Sequence, residues 1–264
     1  MSHTDASTSS DSDVRKNTVP GNSGFYGLLK NTVIGPPLRL AFRPLTEGAR
    51  DFPAEGPVLL VANHQSFADS LFMPMATPRP VKFLAKAEYF TGRGVKGRLS
   101  AGFFRGVGSI PIDRSGATAA DPALTTALRL LSEGHVVGMY PEGTRSPDGR
   151  LYKGRTGVAR IALTARCPVV PCAIFGTRRV QPTGRRVPVP TLHPSGRVRV
   201  WFGKPLDFSR YTGPDGEAWN ELAGTEAERV VLRAVTDEIM LTLERMTGSE
   251  YVDVYASTLK KATK

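Results

Sequence analysis

The sequence has only two cysteines among its 264 residues, Cys167 and Cys172. Their spacing fits neither a metal-binding knuckle nor a CxxC redox pair, so we expect no bound metal and a reducing, cytosolic setting. The chain also lacks a run of roughly 18 to 20 apolar residues, which a membrane-spanning helix requires. Residues 1–17 contain no apolar core of the signal-peptide kind. Any contact with a membrane is therefore predicted to be peripheral.

The formal net charge is +11, and the basic excess is concentrated in the middle of the chain, where acidic residues are scarce. Eight basic residues against two acids fall between Arg79 and Arg114, and ten against one between Arg145 and Arg186. Arginine-rich surfaces are common in high-GC genomes, but such blocks also indicate an anionic partner. Nucleic acid, an anionic membrane and a phosphorylated substrate are the three candidates that composition leaves open.

The length is sufficient for one α/β domain with its own core, and a second domain would be cramped. Residues 1–22 are polar, rich in serine and without periodicity, which predicts a disordered tail. We therefore assign residues 23–250 to a single domain and residues 251–264 to a C-terminal tail.

Short apolar runs alternate with helical patterns along most of this domain, which predicts an α/β fold with a mixed, largely parallel β-sheet flanked by helices. Apolar runs of this kind suit strands that are buried on both faces. The predicted strands are Pro57–Ala62, Val81–Leu84, Ser109–Ile112, His135–Tyr140, Pro168–Ile174 and Arg197–Phe202. The predicted helices begin near Asp121, Gly157 and Thr225.

The segment Phe25–Phe42 is apolar and aromatic, with Lys30 and Arg39 as its only charges. Its pattern predicts two short amphipathic helices, broken at the glycine and two prolines of residues 35–37. This N-terminal amphipathic helical hairpin, residues 23–43, could lie in the lipid interface. An ordinary helix that packs on the core fits the pattern equally well.

The residues that carry chemistry begin with Asn63–Asp69, directly after a predicted buried strand, where ligands usually bind in α/β sheets. Histidine accepts a proton near neutral pH, and a carboxylate on its other ring nitrogen fixes the tautomer. His64 and Asp69 are therefore a candidate dyad. Five residues on one helix would place them about 140° apart, so we expect His64 in an irregular turn. The alternative is a capping box in which Asp69 only closes a helix N-terminus.

Two more strand ends carry arginines. In Tyr140–Ser146 a proline and a glycine predict a tight turn with exposed amides, and Arg145 can donate two hydrogen bonds to a phosphate. Glu142 is suited to hold either the turn or the arginine. Another strand end delivers Arg114 to the same edge. Each segment alone fits an ordinary turn with a surface arginine, but a base and two arginines at one edge indicate a site.

Taken together, these segments resemble the glycerolipid acyltransferases typified by lysophosphatidic acid acyltransferase. The family's His, four residues, Asp pattern matches Asn63–Asp69, and its Phe/Tyr-Pro-Glu-Gly-Thr-Arg-Ser signature matches Tyr140–Ser146 in full. Gly108–Arg114 and Cys167–Ile174 are similar to two further family blocks. The order and spacing of all four agree over roughly residues 57–176.

The resemblance implies that His64 removes a proton from the acceptor hydroxyl as it attacks an acyl thioester, while Asp69 orients His64. No metal or cofactor is implied beyond acyl-CoA or acyl carrier protein as co-substrate. A basic residue at the position of Lys153 often precedes the next helix in the family, although a solvated lysine fits equally well. The resemblance assigns six residues to the acceptor phosphate: Arg114, Glu142, Gly143, Thr144, Arg145 and Lys153.

The acceptor implied most directly is lysophosphatidic acid, which becomes phosphatidic acid in phospholipid biosynthesis; glycerol 3-phosphate or a glycolipid are the alternatives. We expect a peripheral protein at an anionic phospholipid surface, on the cytoplasmic face of the cell membrane.

Two rival hypotheses are disfavoured by the sequence itself. A covalent acyl-enzyme would need Ser66, Cys167 or Cys172 as nucleophile, but Ser66 lacks a Gly-x-Ser-x-Gly context and Cys172 falls in an apolar strand. A basic nucleic-acid-binding module would interleave aromatics with its cations on one face. Here the aromatic residues are grouped with apolar residues, as is typical of a core or an acyl groove, so we expect no nucleic acid partner. These aromatics are Phe83, Tyr89, Phe90, Phe103 and Phe104.

Overall fold

The computed structural model describes Thr32, Gly94 and residues 35–86, 109–112, 120–182, 184–185, 187–190 and 197–262. The predicted disordered tail, most of the first arm of the predicted hairpin and Arg114 lie outside these described residues.

A central sheet of seven strands runs through the described part of the chain, in the order β1-β8-β7-β2-β5-β3-β4. All neighbours from β7 to β4 pair in parallel, β8 is antiparallel to β7, and β1 is parallel to β8. A second, two-stranded sheet pairs β6 with β9. The strands are β1 (Leu45–Glu47), β2 (Val58–Ala62), β3 (Val81–Lys86), β4 (Ser109–Ile112), β5 (Val136–Met139), β6 (Leu151–Tyr152), β7 (Val169–Phe175), β8 (Arg199–Phe202) and β9 (Tyr251–Val252). The predicted mixed, largely parallel sheet is confirmed.

Helices cover both faces of this sheet. They are α1 (Gly35–Phe42), α2 (Asp69–Ala76), α3 (Ala120–Ser132), α4 (Gly157–Ala165), α5 (Thr177–Val180), α6 (Ser209–Thr212), α7 (Glu217–Glu221), α8 (Glu226–Thr247) and α9 (Ala256–Ala262). The long helix α8 is capped as its sequence suggests, since the side chain of Thr225 accepts a hydrogen bond from the backbone N–H of Glu228. No helix of the described residues combines the length and the apolar character that a bilayer crossing demands.

Strand β2 is buried on both faces and divides the core into two layers. Because successive side chains of a strand point to opposite faces, Leu59 and Val61 join one apolar cluster, which includes residues of α3, α4 and α8. Leu60 joins the other cluster, which includes Phe42 of α1 and Phe72 of α2. A strand covered on both sides has no exposed face, which explains its unbroken apolar sequence.

Helix α1 corresponds to the second arm of the predicted hairpin, but it begins at Gly35, so the glycine and two prolines expected between the helices form its first turn. Its last residue, Phe42, packs edge to face on Phe72 with ring centroids 5.2 Å apart. Leu40, in contrast, is 75% exposed. The helix thus packs on the core and also presents an apolar side chain outward, and its location in a lipid interface stays a prediction.

The segment after residue 250 is not the tail that the sequence suggested. Strand β9 pairs in parallel with β6, and helix α9 follows it. Long-range backbone bonds hold the segment: Leu151 N donates to Glu250 O at 2.9 Å, and Lys153 N donates to both Val252 O and Val254 O at 3.1 Å. A two-residue strand carries no periodicity of its own, so the sequence pattern could not reveal it.

The turn after β7 depends on Gly176, which has φ +79°, a backbone conformation that a side chain disfavours. A Cβ at this position would lie 2.5 Å from the carbonyl oxygen of Arg197. Gly56 provides a matched comparison, because its φ is +74° and a Cβ there would meet nothing within 4 Å.

We predict that Gly56→Ala lowers the free energy of unfolding by about 1 kcal/mol through backbone strain alone. Gly176→Ala should cost about 1–3 kcal/mol more, because the methyl group also clashes with a main-chain oxygen. Urea unfolding of both variants measures the difference. Equal losses would show that the backbone around Arg197 moves freely.

Candidate active site

The carboxyl ends of β2, β5 and β7 lie side by side, because these strands are parallel neighbours in the sheet. Asn63, the first residue after β2, joins two of them: its side chain donates to Ile174 O at 3.0 Å and accepts from Ile174 N at 2.8 Å. The backbone N–H of Ser146 donates to His64 O at 2.7 Å, which joins the turn after β5 to the same loop. The fold therefore brings together the ends of β2 and β5, as the sequence predicted, whereas the third predicted strand end, at Arg114, lies outside the described residues.

His64 and Asp69 form a hydrogen-bonded pair in this loop. Nδ1 of His64 lies 2.9 Å from Oδ2 of Asp69. The same oxygen accepts the backbone N–H groups of Gln65 at 2.7 Å and Ser66 at 2.8 Å. Asp69 is fully buried, whereas the His64 side chain is 16% exposed. Because a carboxylate can only accept here, Nδ1 carries the proton and Nε2 is the ring nitrogen left to act as a base.

The capping alternative and the dyad turn out to be compatible. Asp69 is the first residue of α2, and its bond from Ser66 N is one half of a capping box. The hydroxyl of Ser66 accepts the backbone N–H of Ala68 at 3.3 Å and donates to the carbonyl oxygen of Gln181 at 2.8 Å. One carboxylate oxygen therefore closes the helix and also orients the histidine.

Tyr140 is a site residue that the sequence analysis missed. Its ring stacks on the ring of His64, with centroids 3.8 Å apart and planes 8° from parallel. Its hydroxyl lies 3.1 Å from Oγ of Ser70, on the helix that carries Asp69. Burial raises the pKa of Tyr140 well above its ordinary value, and the charge of Asp69 adds to this, so the phenol stays neutral. An aromatic residue at the head of the Pro-Glu-Gly turn was the available signal.

Glu142 lies under the site with only 1% of its surface exposed. Its Oε1 accepts the backbone N–H of His64 at 2.9 Å, and its Oε2 accepts that of Tyr152 at 3.1 Å. This geometry favours the first role suggested by the sequence, that of holding the turn. Direct contact of Glu142 with a phosphate stays a prediction.

Three further predicted phosphate residues follow β5 directly at this edge. Gly143 adopts φ +71° and is exposed, Thr144 is half-buried and Arg145 is exposed. Lys153 forms an ion pair instead, with Nζ 2.9 Å from Oδ1 of Asp253. Its assignment to phosphate stays a prediction, as does that of Arg114.

Arg155 is a second residue that the sequence analysis did not single out. A Cβ on Gly143 would lie 3.0 Å from Cδ of Arg155, so this side chain runs along the turn. Its Nη2 donates to Oγ of Ser257 at 2.9 Å, and its guanidinium lies 5.1 Å from the ring centroid of Tyr255. The C-terminal segment thereby reaches the signature turn.

The candidate nucleophiles of a covalent mechanism are enclosed. Ser66 is 3% exposed, Cys167 is 6% exposed and Cys172 is fully buried. Burial raises the pKa of the Cys167 thiol to about 12. Burial, with a contribution from the charge of Asp69, raises that of Cys172 well above its usual range. Neither thiol is therefore present as the thiolate that nucleophilic attack requires.

The fold and this site define an α/β protein with a histidine–carboxylate base beside an arginine-bearing turn. The family model described as "Acyltransferase" matches residues 43–175, which is half of the chain. The chain belongs to this acyltransferase family.

Several relatives carry a more specific name. The chain is 31% identical over 178 residues to a chloroplastic 1-acyl-sn-glycerol-3-phosphate acyltransferase of Brassica napus, a match that covers 67% of this chain and 49% of the relative. The enzyme of that name from Bacillus subtilis is 25% identical over 157 residues, which cover 59% of this chain and 70% of the relative. The chain spans about half the length of the plant relatives that it matches.

A solved structure shares the fold. The 1-acyl-sn-glycerophosphate (LPA) acyltransferase PlsC of Thermotoga maritima superposes with a TM-score of 0.51 at 25% sequence identity. The superposition covers 74% of this chain and 71% of that one. The α/β architecture described above is therefore the architecture of a characterised family structure.

The enclosed thiols give a direct test of the covalent alternative. We predict that Cys167 and Cys172 resist iodoacetamide at pH 8 in the native protein, because burial removes access and disfavours the thiolate. Mass spectrometry should detect carbamidomethylation of both residues only after unfolding in guanidinium, which serves as the control. Fast native labelling that abolishes acyl transfer would revive a cysteine nucleophile.

Proposed function

We propose that this chain transfers a fatty acyl group from acyl-CoA or acyl carrier protein to the free hydroxyl of lysophosphatidic acid, which yields phosphatidic acid. The observation that carries the proposal is the 2.9 Å pair of His64 and Asp69 at a strand edge shared with the Pro-Glu-Gly-Thr-Arg turn. Membership of the acyltransferase family and the names of the relatives support it. Glycerol 3-phosphate and a glycolipid are the alternative acceptors.

The chemistry follows from the weakness of an alcohol as a nucleophile near neutral pH. Nε2 of His64 takes the hydroxyl proton as the oxygen attacks the thioester carbonyl, and a tetrahedral oxyanion forms. When the oxyanion collapses, the C–S bond breaks and the thiolate leaves with the proton that His64 returns. Asp69 stabilises the imidazolium between these two steps.

Two neighbours hold His64 in place for this reaction. Tyr140 covers one face of the imidazole and so limits rotation of the ring, and a stacked aromatic face also favours a cationic imidazolium. Glu142 holds the backbone of His64 through a buried hydrogen bond. These two residues position the base and do not themselves transfer the proton.

The acceptor phosphate is assigned to Arg145, together with the exposed turn at Gly143 and Thr144 and with Arg114. Arginine matches a phosphate with two parallel hydrogen bonds, and turn amides add donors without further charge. Lys153 would have to leave Asp253 in order to take part.

We predict that His64→Ala lowers kcat by roughly 10²- to 10⁴-fold, the usual contribution of a general base. Asp69→Asn should be milder than Asp69→Ala, because an amide oxygen can still accept from Nδ1. The measurement is mass spectrometry of products formed from a panel of phosphorylated acceptors with both donor types.

Tyr140→Phe is the matched control for the stacking, since it keeps the aromatic face and loses only the hydroxyl. It should retain near-normal kcat, whereas Tyr140→Leu should lower kcat with little effect on either KM. Circular dichroism confirms that each variant is folded. Substantial turnover by a folded His64→Ala protein would eliminate the proposed mechanism.

We also propose peripheral binding to an anionic membrane, on the cytoplasmic face, because a lysophospholipid and a long acyl chain reside in the bilayer. The exposed Leu40 on α1 and the basic central blocks support this. Nucleic acid is the competing anionic partner. Phe83 does not favour it, because this ring is 5% exposed and packs in the core instead of offering a stacking face. The other four aromatics considered lie outside the described residues.

Binding to anionic phospholipid vesicles should weaken at high salt without vanishing, since salt screens charges but not inserted apolar side chains. Leu40→Ser should reduce the part that resists salt. Leu241→Ser on α8, also an exposed leucine, is the control and should change nothing. Sedimentation with vesicles and retention on DNA cellulose are compared at equal salt. Retention on DNA cellulose without vesicle binding would favour the nucleic acid alternative.

A further inference from the structure

Arg178 places a buried cationic nitrogen beside the site, in the short helix α5 that follows β7. Its Nη1 is inaccessible to solvent and has no hydrogen-bond partner within the described part of the chain. A buried donor without an acceptor costs free energy, and the cost is larger for a charged group. Such groups are rare in folded proteins and often mark a place where a ligand supplies the partner.

The loop of the His64–Asp69 dyad contacts this turn directly. The hydroxyl of Ser66 donates to Gln181 O, one residue beyond the end of α5, at 2.8 Å. The position of α5 is further fixed by Gly176, whose close approach to Arg197 leaves no room for a side chain. Arg178 is thus held at the catalytic edge by contacts that do not involve its own guanidinium.

Gly149 locates the guanidinium more closely. A Cβ on Gly149 would lie 4.0 Å from Nη1 of Arg178 and 3.6 Å from Oε1 of Gln65. Gln65, which follows His64, also donates from Nε2 to Gly149 O at 2.9 Å. Nη1 of Arg178 and the side chain of Gln65 therefore both lie close to Gly149. Arg145 lies in the same loop as Gly149, between β5 and β6.

Asp148, the residue before Gly149, already has hydrogen-bond partners. Oδ2 of Asp148 accepts from Nε of Arg150 and from the hydroxyl of Tyr152, both at 2.8 Å. Although partial burial acts in the opposite direction, hydrogen bonds from Arg150 and Tyr152 lower the pKa of Asp148 to about 2. Asp148 is thus fully ionised and satisfied without Arg178.

We propose that Arg178 is a phosphate-binding residue of this active site, and that it receives a phosphate of either the acceptor or the acyl-CoA donor. The inference rests on the proposed function, because both substrates of that reaction carry phosphate. The planar set of donors of an arginine matches a phosphate with two parallel hydrogen bonds, as it also matches a carboxylate, and phosphate is the group that both substrates carry. The sequence placed Arg178 only within the basic block from Arg145 to Arg186, since its unpartnered nitrogen is evident only from the folded positions of Gly149 and Gln65.

A purely structural arginine would have a different environment. Arg233 is an example: its guanidinium donates to Gly154 O at 2.8 Å and to Oδ2 of Asp237 at 2.9 Å. Replacement of such a residue removes stabilising bonds. Replacement of Arg178 removes an unsatisfied donor instead, so the two roles predict opposite effects on the stability of the free protein.

The first test measures thermal stability with and without inorganic phosphate or glycerol 3-phosphate. Arg178→Met keeps the aliphatic stem and removes the guanidinium, so Tm of the free protein should stay equal or rise. The increase of Tm that either phosphate causes in the unchanged protein should be lost. Arg179→Met, at the exposed neighbouring position, is the control for charge and should keep that increase. A lower Tm for free Arg178→Met with an intact phosphate effect would assign Arg178 a structural role.

The second test identifies the source of the phosphate. Arg178→Ala should raise one KM at least tenfold with little change in kcat, and Arg178→Lys should restore it only in part. A higher acceptor KM assigns the acceptor phosphate, and a higher acyl-CoA KM assigns the donor. If both KM values stay unchanged in a folded protein, the proposal is overturned.

The two tests also separate this inference from the proposed function. His64→Ala should abolish transfer and keep the phosphate-dependent rise of Tm, because it leaves Arg178 in place. If no acceptor in the panel is acylated, the proposed function fails, and the Tm measurement still decides whether Arg178 binds phosphate.

Discussion

A single oxygen atom, Oδ2 of Asp69, organises the catalytic edge of this protein. It accepts one bond from the imidazole of His64 and two from the backbone at the start of α2. A buried carboxylate is costly unless hydrogen-bond donors compensate it, and these three bonds supply donors to Oδ2, whereas Oδ1 has no partner within the described residues. The bond that orients the His64 ring is thus one of the bonds that stabilise the buried Asp69 carboxylate.

The second buried carboxylate plays the complementary role. Glu142 accepts one backbone N–H from the loop after β2 and another from β6. Because β2 and β6 belong to different sheets, this carboxylate joins the two sheets. Strand β6 in turn holds β9. The signature turn, the base and the C-terminal segment are therefore connected through two side chain to backbone bonds of Glu142 and the pairing of β6 with β9.

Local sequence patterns were sufficient for six of the nine strands of the described residues, for the helices α3, α4 and α8, and for the pairing of His64 with Asp69. Each of these depends on neighbours within a few residues, or on the rule that parallel strands end at one edge. Tyr140, Arg155 and Arg178 were missed or left unassigned because their roles depend on contacts between distant segments. The tail predicted from residue 251 was wrong for the same reason, since β9 exists only as the partner of β6.

The long sequence separations across the site also bear on how the protein folds. Asn63 bonds to Ile174 across 111 positions, and His64 bonds to Glu142 across 78. Contacts of this range form after large loops have closed, and parallel sheets that depend on them fold slowly. Asn63, which precedes His64, can make its two bonds to Ile174 only when β7 has docked beside β2. During synthesis, a nascent chain whose β7 has not yet emerged from the ribosome would contain His64 and Asp69 without the strand that holds Asn63 beside them.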